Sequence, residues 1–490
     1  MSTVHKVAKN TGIMMVGNLT FRLLSLVTVI YLAKYLSVED FGKYNFIFAY
    51  LGFFEIITDF GLGDITVREM SRNPNSMQNI IGNVHVIKIL LSMIAVFFSI
   101  LTISLMGYPG TTTLYIYIAS VVLLFQSFSD TFKTIFVTKL DMQYEILSKI
   151  ISKIVFVGLI LYIIALKGTM YQIILAYIFS EFLRTVLNYA FSRKIVRAKF
   201  DINFSMWKSL LKESLPIALS SSFLVIYHRI DILMLSMMIR GIEAETAVGL
   251  YSAAYKLSEP LGLISTSLVV SLYPLMSKSF NNSKNDFFKT YEIGLKYTVI
   301  LMLPIAVGTT LIADKIILLI YDSSYEGSIT ALQILIWSLL LASINLLLIS
   351  SLTSINKQRL NTLSMGVCVV ANIVLNMILI PSYSYNGASI ATVITELILL
   401  LMSLYFAYVN LDLPPVRAAS AKPLVSCLIM GIPIYYMSNF TTINVFFIVL
   451  SGAAVYLIAL LGTNTFSKDE KKIIKSVLSF NVICKKMRLG

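Results

Sequence analysis

"VIYHRIDILML", residues 225–235, sets His228, Arg229 and Asp231 in the middle of an apolar, helix-length run. A run of that length and composition reads as a membrane span. A charge at the centre of a span costs roughly 2.5–3.5 kcal/mol on insertion scales, so such charges turn toward a bundle interior or a watery cavity. The segment therefore points to an all-helical membrane protein with a polar inside.

The rest of the chain agrees. Of its 490 residues 57% are hydrophobic and 13% charged, against about 25% charged in soluble domains. A bilayer helix needs about 20 apolar residues, and fourteen such runs can be placed. They are 11–33, 43–63, 80–106, 112–136, 146–166, 171–191, 215–239, 248–276, 293–313, 328–351, 361–380, 387–409, 420–437 and 443–461. The longest connection, about residues 192–214, is too short to fold alone.

The net charge of +14 could suit nucleic acid, but its distribution sets orientation instead, and no nucleic acid is expected. Lys43 and Lys422, at span ends, are counted with their adjoining loops. With the N-terminus inside, the inward segments then hold 25 Lys and Arg, the outward loops 5, and the spans the remaining 9. By the positive-inside rule both termini are expected in the cytoplasm of a multi-pass plasma-membrane protein. No small-residue cleavage site follows "MSTVHKVAKN", so no removed signal is expected. Cys368, Cys427 and Cys484 lie far apart, and with three histidines they offer no metal or disulfide pattern.

An internal repeat organises the chain. Arg22, Gly42 and Tyr44 recur as Arg229, Gly249 and Tyr251, each at an offset of 207. Their equivalent places on equivalent spans argue for duplication over coincidence. The first six and the next six spans then form parallel repeats, related by an axis along the membrane normal. The expected division is 1–213, 214–411, and a third part, 412–490, holding two further spans and a basic tail. Those two spans are expected to face lipid. The tail "FSKDEKKIIKSVLSFNVICKKMRLG" clusters Lys468, Lys471, Lys472 and Lys475 beside an apolar strip. It either lies on an anionic leaflet or is a solvated tail that sets orientation.

Depth sorts the intramembrane charges. Arg22 and Arg229 are central, and Glu181 and Arg184 lie midway along the sixth span. Lys133, Lys149 and Lys296 lie near inner ends, where snorkelling to the surface explains them. Glu55 and Asp59 share one face of the second span at i, i+4 and are the candidate partners of Arg22. Asp231 is expected to find a cation elsewhere. Both repeats are polar inside, and the first carries more cations than anions. Two readings of Arg22 and Arg229 stay open, a structural ion pair and a ligand contact. Paired guanidinium bonds suit phosphate and carboxylate oxygens, so an anionic substrate is expected. The tyrosines near the cavity either stack on a ligand or belong to the interfacial aromatic belt. Pro260, Pro304 and Pro433 fall within spans, and "KLSEP", 256–260, sets Lys256 and Glu259 beside an expected kink. No nucleophile–base set and no phosphate-cradling glycine loop is present, so an enzyme is not expected.

"YLSVEDFGKYNF" (35–46), "TDFGLGDITVREMSR" (58–72), "RIDILMLSMMI" (229–239), "VGLYSAAYKLSEPL" (248–261) and "NIVLNMILIPSYSYNGASIATVITE" (372–396) together resemble the polysaccharide-transporter family. These are the Wzx-type flippases of the multidrug/oligosaccharidyl-lipid/polysaccharide superfamily. The resemblance runs in order over roughly residues 10–460. It implies fourteen helices in an alternating-access flippase fold of two six-helix lobes plus two C-terminal helices. It implies polyprenyl-(di)phosphate-linked oligosaccharides moved from the inner to the outer leaflet, without a cofactor. A proton or sodium gradient is the implied drive. Membrane lipids surround the protein, and a glycan polymerase or glycosyltransferases are candidate protein partners.

On these grounds the candidate substrate-binding residues are Arg22, Arg229, Lys88, Arg184 and Lys256. The ion-coupling candidates are Glu55, Asp59, Glu181, Asp231 and Glu259. The rival expectations are a multidrug or cation antiporter of the same superfamily and a membrane scaffold for glycan-assembly enzymes.

Overall fold

The computed structural model describes residues 3–199, 201–239, 241–411, 417–440, 443–466 and Glu470. Among the described residues there is helix and no strand. Thirteen helical stretches are long and apolar enough to cross a membrane. One of them, Gln358–Leu411, has 54 residues and is two spans joined by a sharp reversal. Ser384 there has φ 50° and ψ −134°, far from helical values. The turn is visible in the packing as well. Cys368 and Thr395 are 27 residues apart, about 40 Å along a straight helix, yet Cys368 Sγ lies 3.9 Å from the Thr395 carbonyl oxygen. All fourteen predicted spans are thus present.

The described residues pack as two compact units. The first comprises Met1–Pro260, Ile320–Ala331 and Met365–Thr395. Its helices are α1 (Thr3–Tyr35), α2 (Val38–Asp59), α3 (Leu62–Arg72), α4 (Met77–Leu105), α5 (Gly110–Ala119), α6 (Val121–Lys139), α7 (Gln143–Ala165), α8 (Met170–Ser192), α9 (Phe204–Met238) and α10 (Ile242–Ser258). The second unit comprises Leu261–Leu319, Leu332–Ser364 and Glu396–Gly490. It takes α11 (Gly262–Asn282), α12 (Lys284–Leu311), most of α13 (Ala313–Ile320) and of α14 (Ser328–Ser354), the outer parts of α15 (Gln358–Leu411), α16 (Arg417–Phe440) and α17 (Val445–Gly462).

In the second unit α16 and α17 pack on each other and on α12. Cys427, Met430, Ile434, Ile448, Tyr456 and Leu460 close a core with Val299, Ile300 and Leu303. The opposite faces carry exposed Leu428, Ile432, Phe446 and Ile458, the apolar surface a helix turns to lipid. Lys296 meets the Glu470 carboxylate at 2.7 Å, and the Tyr297 hydroxyl donates to the same group. The lysine cluster of the basic tail lies outside the described residues.

In the first unit Ser37 caps α2, accepting from the Asp40 N–H, and Glu39 and Asp40 in the first turn complement the helix dipole. The α2–α3 break lies at Phe60 and Gly61, both at positive φ. A side chain at Gly61 would run into the backbone of Ser214 and Ala218, so this glycine lets the break dock on α9. The kink expected at Pro260 is present as a 3-10 turn over Glu259–Leu261, whereas α12 runs on through Pro304 and α16 through Pro433.

The 207-residue offset reappears as a packing relation. A Cβ at Gly42 would overlap the Glu245 carbonyl, and one at Gly249 would overlap the Val38 carbonyl. Glu245 is the equivalent of Val38, and Gly249 of Gly42. The contact is therefore reciprocal, the kind two-fold-related copies make. On its axis Thr246 donates to Glu39, also 207 residues away. Only a residue without a side chain at both positions lets α2 and α10 approach this closely.

Candidate functional site

The 225–235 run gives α9 two polar faces. Arg229 and Asp231 are two residues apart, hence about 200° around the helix axis. Arg229 points to α2, where its Nη1 donates to the Phe48 carbonyl oxygen at 3.0 Å. Gly52, one turn on, leaves that carbonyl uncovered: a Cβ there would sit 2.5 Å from Arg229 Nε. Glu55 and Asp59 follow on the same face of α2. Arg229 is the foremost cationic neighbour of Glu55, and Asp130, Glu181 and Arg184 are its other charged neighbours.

The pairing of Arg22 with Asp59 or Glu55 is not what forms. Asp59 is taken by Lys88 of α4, Nζ to Oδ1 2.7 Å, with the lysine side chain only 2% exposed. A buried ammonium needs a partner, and Asp59 supplies it. Arg184 of α8 is held by three carboxylates, Glu181 at 3.4 Å, Glu145 at 3.5 Å and Asp130 at 3.8 Å. Beside it is a cavity of about 260 Å3 lined by Glu55, Asp59, Gln126, Asp130, Arg184 and Ser221. That volume suits water and an ion better than an oligosaccharide.

Cations without such partners gather elsewhere in the unit. Lys149 of α7 is one of them. Its Nζ lies 4.4 Å from the Phe21 ring centroid and 3.3 Å from Asn18 Oδ1, and its charged neighbours are Glu145, Arg184, Lys133 and Arg22. Lys153, one turn along α7, lies over Phe21 and Phe156 at 5.5 and 5.1 Å. Glu181 and Lys256 of α10 are the charged neighbours of Lys153, and Lys256 is joined to Glu259 at 3.6 Å. Among the described residues, Arg22, Lys149 and Lys153 have no carboxylate within ion-pair distance. The cationic excess expected of the first repeat is thus local. Around Arg184 acids outnumber bases, whereas Lys149 and Lys153 keep Glu145 and Glu181 as neighbours beyond ion-pair distance.

The second face of α9 is different in kind. Asp231 is buried and meets no cation among the described residues. Instead three neutral groups donate to its carboxylate: Tyr251 Oη at 2.7 Å, Asn376 Nδ2 at 2.7 Å and Thr392 Oγ1 at 2.8 Å. Asn376 Nδ2 also donates to Asn372 Oδ1 at 3.0 Å, and Asn376 Oδ1 is buried without a partner. The α15 reversal at Ser384 brings Asn376 and Thr392 to the same carboxylate. The position equivalent to Asp231 in the first repeat is Leu24, so this arrangement is not duplicated.

Comparison with known proteins places the chain. The family model described as "Polysaccharide biosynthesis protein" matches residues 7–280. The chain belongs to that family. The MatE model matches residues 216–378. Two relatives from Haloferax volcanii are "Probable low-salt glycan biosynthesis flippase Agl15", 25% identical over 31% of this chain and 32% of that protein, and "Probable flippase AglR", 27% identical over 47% and 50%. The matched stretches span between about a third and two thirds of the curated relatives. Among solved structures, "Lipid II flippase MurJ, inward closed conformation" matches with TM-score 0.78 and 19% identity over 91% of this chain and 97% of that one. A multidrug resistance MATE transporter of the MOP superfamily, inward-facing, matches with TM-score 0.64 and 15% identity over 82% and 96%. The fold is that of this transporter superfamily, and the protein is a multi-pass membrane protein.

Within the family fold, several site residues escape the sequence reading. Glu145 lies one residue outside the predicted fifth span. Lys149 reads as a snorkelling lysine, although its spacing of four from Lys153 could have marked a common face. Gly52 and the Phe48 carbonyl give no composition signal. Asn372, Asn376 and Thr392 lie on the quoted 372–396 stretch, and the spacings of four and twenty from Asn372 become meaningful only once the reversal is known.

Proposed function

We propose that this chain flips a polyprenyl-(di)phosphate-linked oligosaccharide from the inner to the outer leaflet, driven by a proton or sodium gradient. The observation that carries the reading is the cation group of Arg22, Lys149 and Lys153, none of which is in an ion pair among the described residues. A diphosphate is a multivalent anion for which such a group is built, through charge-assisted hydrogen bonds. The names of the Haloferax relatives and of the lipid II flippase neighbour support the same substrate class. Lys88 and Arg184 act at one remove. They fix Asp59 and the three carboxylates that border the site, while Arg22 and Arg229 meet the phosphates and Lys256 flanks them. Asp231 is the coupling residue. Its oxygens, with those of Tyr251, Asn372, Asn376 and Thr392, suit a hard cation, and its carboxylate can equally take a proton. Glu55, Asp59, Glu181 and Glu259 already face cations. The lobes are residues 1–213 and 214–411, with 412–490 as an accessory part, and no catalytic step is involved. Both termini face the cytoplasm. Impermeant thiol labelling in whole cells checks this: Cys at Ser323 should label and Cys at Ser205 should not, and the reverse pattern would refute it.

One observation favours cation antiport instead, the acid-lined cavity beside Arg184. Reconstituted vesicles separate the two readings. The purified chain should accelerate exposure of a labelled lipid-linked oligosaccharide on the far leaflet and leave a cationic dye where it was. Dye export without oligosaccharide flipping would reverse the assignment.

Gly52 gives a sharper test of the arginine site. Alanine there improves helix propensity by about 1 kcal/mol, and the atoms it meets belong to the flexible Arg229 side chain. Gly52→Ala is expected to melt at or above the wild-type temperature in detergent while flipping falls several-fold, because Arg229 is displaced from Phe48. An unchanged flipping rate would show that the Arg229 position is immaterial.

A further inference from the structure

We propose that the groove between α6 and α8 holds one anionic membrane lipid, its phosphate on Arg193 and Arg197 and a hydrocarbon chain along an aromatic wall. The groove is a cavity of about 600 Å3, in the range of ligand sites, about 300–1,000 Å3. Its wall is Phe125, Phe128 and Phe132 of α6 against Phe182 and Tyr189 of α8. The rings pair across the helices, Phe125 with Phe182 at 5.4 Å and Phe132 with Tyr189 at 5.7 Å. Behind them the helices are tied by the Thr185 hydroxyl, which donates to the Phe125 carbonyl at 2.8 Å. The wall is thus fixed, and its outer members Phe182 and Tyr189 are exposed.

The head of the groove is basic. Arg193 and Arg197 both line it and both are exposed. The Arg193 guanidinium lies 5.6 Å from the Tyr189 ring centroid, which sets it where wall and head meet. Among the described residues neither arginine forms an ion pair. Lys194 and Lys199 extend the basic stretch. An apolar slot ending in two unpaired guanidiniums complements an amphiphile with an anionic head. The occupant is a bilayer lipid rather than the carried substrate. These arginines lie on the α8–α9 connection, apart from the α1 and α7 cations, and a surface lipid is always present at high local concentration.

Native mass spectrometry of the full-length protein, titrated with phosphatidylglycerol or phosphatidylcholine, tests the proposal. Wild type should retain phosphatidylglycerol about thirtyfold more strongly than phosphatidylcholine, the contribution of two basic residues at a membrane surface. Arg193→Gln/Arg197→Gln should abolish that preference, and Lys357→Gln/Arg359→Gln, a basic pair elsewhere, should keep it. Phe182→Ser should weaken retention of both lipids. Equal phosphatidylglycerol retention by wild type and the Arg193/Arg197 variant would overturn the proposal. So would a polyprenyl phosphate that displaces phosphatidylglycerol and depends on the same two arginines, since the groove would then be a carrier-lipid site.

Discussion

Replacing Arg22 or Arg229 with alanine is expected to lower flipping at least about tenfold per folded molecule, the equivalent of roughly 1.4 kcal/mol. Neither change should unfold the protein. Among the described residues Arg229 makes one hydrogen bond, to a helix carbonyl, and a bond of that kind contributes about 0.5–1.5 kcal/mol. Arg22 has no ion pair among the described residues. Lysine keeps the charge but loses the planar fork, so Arg22→Lys and Arg229→Lys should retain a fraction of the rate. Arg184 behaves differently. Its removal would leave Asp130, Glu145 and Glu181 facing one another, and breaking a buried ion network costs about 3–5 kcal/mol. Arg184→Ala should therefore fail in gel filtration, where the Arg22 and Arg229 variants elute as folded protein. Well-folded Arg22→Ala and Arg229→Ala proteins that flip at the wild-type rate would remove the arginines from the mechanism.

Asp231→Asn should uncouple flipping from the ion gradient. The substitution is isosteric, and the unpartnered Asn376 Oδ1 can turn to accept from the new amide, so the fold should hold. What is lost is the negative charge that takes up a cation or proton in a dry site. In vesicles the wild-type rate should rise about tenfold or more under an inward gradient of the coupling ion, a shift of about 1.4 kcal/mol. The Asp231→Asn rate should be the same with and without it. Replacing sodium by choline distinguishes a sodium site from a proton site. Glu55→Gln and Asp59→Asn should keep the gradient response, because those carboxylates serve Arg229 and Lys88. A gradient response intact in Asp231→Asn and lost in Asp59→Asn would move the coupling site to the Lys88 pair.

The spans are legible in the sequence because apolar length alone defines them, even where two are separated only by the reversal at Ser384. The repeat is legible in three residues, and the reciprocal Gly42–Glu245 and Gly249–Val38 contacts show why one of those three is a glycine in both copies. The opposed faces of α9 follow from the two-residue spacing of Arg229 and Asp231. Partner choice is not legible. Whether Asp59 meets Arg22 or Lys88 depends on how α1, α2 and α4 are rotated about their axes, which hydropathy does not encode. Glu145 is missed for a related reason. It stands at the edge of a span, where composition reads loop, while α7 begins two residues earlier and carries it inward. The Asp231 cage needs a tertiary turn to assemble, and no local pattern marks a neutral donor as the partner of an acid.

The central claim is that a phosphate-bearing head is carried because the cations of α1, α7 and α9 hold it. The most direct measurement uses two substrates with the same glycan and the same polyprenyl chain, one joined through a diphosphate and one through a neutral glycosidic link. In vesicles containing the purified protein, the diphosphate form should cross to the far leaflet at least about tenfold faster than the neutral form, and Arg22→Ala should erase the difference. Equal flipping of both forms by the wild-type protein would contradict the account.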